Sequence, residues 1–134
     1  MTTIAEVRDG LAVALGALDG WRASAYVGDQ INPPCLKVAR PAFDPRMVFG
    51  GSKAAHTFRV HAYASRGATE ANEKILDALC EPSGYGSLLE AVQTGTNWPV
   101  TVDYAVVTNV GEVGLAEIAG VEYLTCPFDI EVVW

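Results

Sequence analysis

Cysteine is scarce in this chain: Cys35, Cys80 and Cys126 are odd in number and far apart. No two of them have metal-ligand spacing, so they read as small buried thiols of a protein from a reducing cytoplasm. Histidine is scarcer still. His56 and His61 lie five apart on an expected strand, so they point to opposite faces and cannot share a metal; each reads as a surface or rim histidine. No apolar run approaches the ~20 residues of a membrane span. The first residues carry no basic n-region, and Glu6 and Asp9 interrupt them at helical spacing, which predicts a folded helix and not a signal peptide. Basic residues nearly vanish from the second half. Residues 67–134 hold Lys74 against eleven acidic residues, whereas residues 1–66 hold eight basic and five acidic, giving the net charge of −7. That balance excludes a dedicated reader of duplex DNA, which needs a basic face.

Catalytic patterns are missing too. Gly84-x-Gly86 is too short for a dinucleotide fingerprint. Gly50-Gly51-Ser52-Lys53 has the residue types of a phosphate loop in the wrong order and precedes a strand, so it reads as a turn. Ser52, Ser83 and Ser87 lack a nucleophile-elbow context. Asp129 and Glu131 share one strand face and read as the solvated side opposite Phe128 and Ile130. The expectation is a non-enzyme with no cofactor and no metal.

What the chain does have is apolar periodicity. Its 134 residues, half of them hydrophobic, suffice for one domain spanning 1–134 with one core. Thr3-Ile4-Ala5-Glu6 is a capping box, and Ile4, Val7, Leu11, Ala14, Leu15 and Leu18 make one helical stripe that Gly20 would end. Strands are expected at Trp21–Val27 and Cys35–Arg40, joined through the stiff Pro33-Pro34. The centre is the alternating stretch after Ala54. There Phe58, Val60, Ala62 and Ala64 fall on one face, and Thr57, Arg59, His61, Tyr63 and Ser65 on the other. A helix over Thr69–Cys80 follows, with Thr69 as cap and Ala71, Ile75, Leu76 and Leu79 inward. Ser87 caps a short helix bearing Leu88, Leu89 and Val92. A strand over Trp98–Asn109 should place Val100, Val102, Tyr104 and Val106 on one face, and Gly111, Gly114 and Gly120 mark an irregular hairpin tip. The last strand, Val121–Trp134, carries Leu124, Cys126, Phe128, Ile130, Val132 and Trp134 on one face, with Pro127 pushing part of it towards an edge or bulge. The fold class is α+β: an antiparallel-rich sheet flanked by an N-terminal and a central helix, in the order α-β-β-β-α-α-β-β. The expected core is Leu11, Leu15, Phe58, Val60, Ile75, Leu79, Val102, Leu124, Phe128 and Ile130.

The Pro/Gly loop 42–53 carries Phe43, Met47, Val48 and Phe49, apolar residues that suggest either an extended hairpin or, the preferred reading, a partner surface. These, with Arg46, Arg59, Glu112 and Glu117, form the expected interface. Part of the basic set (Lys37, Arg40, Arg46, Lys53, Arg59, Arg66) should meet part of the acidic set (Glu70, Glu73, Asp77, Glu81, Glu112, Glu117, Glu122) across a contact between copies.

Several ordered landmarks resemble one family. They are Ala17-Leu18-Asp19-Gly20-Trp21, Ile31-Asn32-Pro33-Pro34, Thr57-Phe58-Arg59-Val60, Leu76 through Gly84 leading to Ser87-Leu88-Leu89-Glu90-Ala91-Val92, and Val121-Glu122-Tyr123-Leu124 through Val132. Together they make the chain similar to the tail terminator (tail completion) proteins of long, non-contractile-tailed phages, particularly those of actinobacterial hosts. The resemblance implies a structural virion protein at the tail–neck junction, made in the host cytoplasm. It implies a homo-oligomer, a six-fold ring, that caps the tail tube protein, ends tube polymerisation and meets the head–tail connector. Phage DNA would pass through the lumen without sequence-specific binding, and no membrane is involved; the acidic excess of residues 67–134 would then line that passage. The alternatives are another neck component, such as a head-closure or adaptor protein, and a small enzyme or ligand-binding domain.

Overall fold

The computed structural model describes residues 3–18, 21–24, 33–39, 55–65, 69–81, 87–93, 98–99, 102 and 104–134. The first helix, α1 (Ile4–Leu15), begins where the capping box puts it. Thr3 is extended, and its hydroxyl accepts from the Glu6 N–H at 3.2 Å. The helix ends at Gly16, four residues before the expected stop at Gly20, and turns carry the chain through Leu18. Val7, Leu11, Ala14, Leu15 and Leu18 are buried, whereas Ile4, on the frayed first turn, is exposed.

The strands are β1 (Arg22–Ser24), β2 (Cys35–Val38), β3 (Ala55–Ser65), β4 (Tyr104–Val110), β5 (Gly114–Ile118) and β6 (Val121–Val133). They form one sheet in the order β1-β2-β3-β6-β4, with β5 also on β6. The element order therefore runs as expected with one strand added, β5, where only an irregular tip was anticipated. All pairings are antiparallel except β1 with β2, which run parallel with Arg22 opposite Cys35. Antiparallel pairing was expected of these neighbours. The ten residues between Ser24 and Cys35 are too many for a tight hairpin, so they leave room to bring the chain back to the starting end.

The alternation in β3 sets the layers. His56, Phe58, Val60, Ala62 and Ala64 are all buried, as are Leu124, Cys126, Phe128, Ile130 and Val132 of β6, its direct partner along eleven residue pairs. Against this face lie α1, α2 (Thr69–Cys80) and α3 (Leu88–Gln93), which give one core cluster with Leu36, Val38, Leu76, Leu79, Leu88 and Val92. Arg8 fastens α1 to the sheet by donating from Nε and Nη2 to the Val38 carbonyl, at 3.2 and 2.8 Å. Asn72 of α2 donates to the Ser65 carbonyl, tying the helix to the end of β3. Ser87 caps α3: its hydroxyl accepts from the Glu90 N–H and donates to the Glu81 carbonyl.

Four sequence expectations fail here. Thr69 is the first residue of α2 and not its cap. Ile75 is 37% exposed because Leu76 and Leu79 fix the inward direction of α2 and leave Ile75 at the rim, with Ala71 exposed too. Val102 is only partly buried, packed against the margin of the core. His56 is buried and not a rim residue. It shares the parity of Phe58, and its ring stacks on Trp134 at 4.4 Å between centroids.

Pro127 falls inside β6, not at a sheet edge, and costs the ladder nothing on the β3 side. A strand residue's N–H and C=O point to the same side. The Pro127 carbonyl accepts from Gly111 N–H at 2.8 Å, so the missing donor also points to the β4/β5 side. There β6 changes partners: β4 pairs as far as Phe128, and β5 takes over at Thr125. A register shift between Val107 and Asn109 marks the approach to this joint. A Cβ on residue 111 would run into the Pro127 ring, so glycine is required there by space.

Candidate interaction surface

Among the described residues, all three helices share one face of the sheet, and the opposite face carries polar and aromatic side chains. Arg59 and Asp129 sit directly opposite on β3 and β6. They make a bidentate pair, Nε to Oδ1 at 2.9 Å and Nη2 to Oδ2 at 3.3 Å, and Asn109 of β4 donates to Oδ2 at 3.4 Å. The hydrogen bond from Arg59 holds the Asp129 carboxyl below its usual range, and the same bond raises the guanidinium. Burial, and then the Arg59 charge, lowers the neighbouring His61, against the opposing pull of Asp129. Tyr104 Oη donates to Glu131 at 2.7 Å, which raises the phenol's pKa. The two carboxylates expected to be merely solvated are therefore both engaged by partners across the sheet. Tyr63 stands between His61 and Tyr123, with ring centroids 6.1 and 6.2 Å away.

The apolar exposure is concentrated at one margin. Of nine exposed large hydrophobic residues among those described, six belong to the β4–β5–β6 margin: Tyr104, Val106, Val110, Val113, Leu115 and Val121. This reverses the expectation for β4. Tyr104 and Val106 were expected to share a face with Val102, a core residue in that reading, but Ala105 and Val107 pack on the core and Tyr104 is 48% exposed. The Val107 N–H is met from outside the sheet by the Gln93 side chain at 3.3 Å, so α3 shields part of this edge.

Beyond the joint, β5 and the start of β6 form an arm. β3 reaches only to Tyr123, so among the described residues Val121 and Glu122 have β5 as their sole sheet neighbour. Leu115 is 58% exposed and Val121 50%, values that place both residues outside the core. The turn at the tip has φ of 52° at Ala119 and 80° at Gly120, the pattern of a two-residue type I′ connection. Glu117 lies directly opposite Glu122. Like charges facing each other across strands weaken a hairpin.

Of the expected interface residues, Phe43, Arg46, Met47, Val48 and Phe49 lie outside the described residues. Glu112 and Glu117 are exposed at the base and along the arm. Arg59 is level with Asp129 and Glu117 with Glu122, seven residues apart along β6 or roughly 23 Å at strand rise. The structure does not gather these charges into one patch within a subunit. Reading the sequence also missed the proximity of two thiols. Cys80, ending α2, and Cys126, in the middle of β6, have Sγ atoms 4.0 Å apart. Burial pushes the Cys126 thiol up to about 12 and raises Cys80 as well, with Asp77 and Glu81 adding like charge around Cys80. Among the described residues no three His, Cys, Asp or Glu side chains are grouped to hold a metal ion, and no helix is long and apolar enough to cross a membrane. Compared with known proteins, the chain matches no family model and no curated protein.

Proposed function

We propose that the chain is a structural assembly protein of a phage tail–neck junction, a tail terminator that closes the tube as a ring of identical subunits. The observation that carries the reading is the apolar margin formed by β4 and the β5–β6 arm. Tyr104, Val106 and Val121 expose apolar surface on the sheet face away from the helices, and Leu115, paired with Leu124, exposes it on the other face of the same margin. A continuous apolar margin is what a subunit offers to a neighbour. In a ring, the two contacting surfaces of a subunit differ, so the arm needs only one complementary site on the next copy. The landmark resemblance supplies the identity of the assembly. On this reading Phe43, Met47 and Phe49, with Arg46 and Val48, touch a neighbouring subunit or the tail tube. Glu112 and Glu117 place negative charge beside the apolar arm.

The test is native mass measurement and electron microscopy of the purified full chain, followed by mixing with tail tube protein. Rings of six copies that halt tube growth are expected. Rings that join the head-side connector but leave tube growth unchanged would make the protein a neighbouring neck component. A persistent monomer without effect on tube length would overturn the proposal.

A further inference from the structure

We infer that Cys80 and Cys126 form a site of reversible covalent modification, where a peroxide closes the pair into a disulfide tying the end of α2 to the centre of β6. The inference is independent of the assembly reading. It rests on three placements. The sulfurs are already 4.0 Å apart, so bonding at ~2.05 Å asks for a movement of roughly 2 Å. Cys126 is wholly buried in a strand paired with β3, and therefore fixed. Cys80 is partly exposed on the last residue of α2, where a helix end can move, and so it is the thiol that meets the oxidant.

The chemistry balances in two steps. The Cys80 thiolate attacks one oxygen of the peroxide, the O–O bond breaks, and Cys80 becomes a sulfenic acid as hydroxide leaves and takes up the thiol's proton. The Cys126 sulfur then attacks the Cys80 sulfur; the S–O bond breaks, and the Cys126 proton leaves with the hydroxyl as water. Two thiols are oxidised, one peroxide is reduced, and two waters form. Cys35 cannot substitute. It lies on β2, two strands away, opposite Tyr63, whose β6 partner is Thr125; that row belongs to the sheet face away from Cys126. The raised thiol pKa values keep thiolate scarce near neutrality, so the reaction with peroxide is slow.

Closure links positions 46 residues apart. A cross-link over such a span raises the thermal midpoint by on the order of 10 °C when strain is small. The test treats the reduced full chain with hydrogen peroxide and follows peptide mapping without reductant beside thermal melting. A Cys80–Cys126 linked peptide, loss of two hydrogens from the intact mass, and a raised midpoint reversed by dithiothreitol are expected. The Cys35→Ala variant should behave identically, and Cys80→Ala should show no rise. Because Cys126→Ala opens a buried position, the second test uses the unmutated chain with Cys80 alkylated in the native state, which must also show no rise. A sulfinic acid at Cys80 without a linked peptide, or an unchanged rise in Cys80→Ala, overturns the inference.

Discussion

The two ends of β6 share a strand and an alternating sequence, yet they live in different environments. From Phe128 to Val132 every second side chain is buried, with β3 on one side, β4 on the other and the helix layer above. From Val121 to Tyr123 the same alternation is exposed or half-exposed, because β3 runs out and no described helix reaches so far. Alternation therefore states that a strand has two faces. Whether either face is buried depends on what chain lies across it. The stretch from Leu124 to Val132 is core, and the first three residues are free to act as a contact element.

The sharpest way to break this comparison is to truncate one apolar residue in each environment. Phe128→Ala removes a fully buried ring and should cost ~3–5 kcal/mol by urea denaturation, with Phe58→Ala in the same range. Leu115→Ala, on the arm, should stay within about 0.5 kcal/mol. A comparable loss at Leu115 in the isolated subunit would mean that the arm belongs to the core.

The joint between the two environments offers an intermediate effect. Gly111→Ala pushes a methyl group into the Pro127 ring, an overpacking change worth ~1–3 kcal/mol. Pairing it with Pro127→Ala should return part of that loss, with a coupling of at least ~0.5 kcal/mol in a double-mutant cycle. Strict additivity would show that the two residues do not meet.

The smallest effect is electrostatic and confined to the body. His61 and Asp129 both bind their protons less readily folded than unfolded, so stability rises with pH. The His61 contribution is complete above its ordinary value of 6.5 and is lost as pH falls through its lowered folded value. The Asp129 contribution is complete above 3.8 and is lost at lower pH. Melting from pH 7 down to pH 3 should show His61→Gln flattening the upper part of the decline and Asp129→Asn the lower. A decline untouched by both variants would assign it to other groups.

How much of this was legible in the sequence follows from the same logic. The layers of β3 and β6 were readable because Phe58, Val60, Phe128 and Ile130 alternate with residues too polar to be buried alone. In β4 the signal has no direction: Tyr104 and Val106 are as apolar as Ala105 and Val107, so the period was right and the inward face was not. His56 shares the parity of Phe58, and that parity outweighed the polarity of its ring. Glycines hid β5, since Gly114 and Gly120 suggest irregularity while the residues between them pair in full register. The parallel β1–β2 pairing, the Arg59–Asp129 pair and the Cys80–Cys126 proximity join residues distant in sequence, and no local pattern encodes them. For the interface, Arg59 already has a partner in its own subunit, whereas Glu112 and Glu117 flank the exposed arm.

The tight turn at Ala119-Gly120 makes the arm a ruler. Its two strands run in unbroken register from Ile118 opposite Val121 down to Gly114 opposite Thr125. Adding two residues to each strand would lengthen the reach by roughly 7 Å and return every side chain to its original face. Adding one would turn the whole tip inside out relative to its base. Reach can thus change only in steps of a residue pair, and pairs added beyond Tyr123, where β3 ends, leave the core contacts untouched. A lineage could fit this subunit to partners of different girth by editing the tip alone.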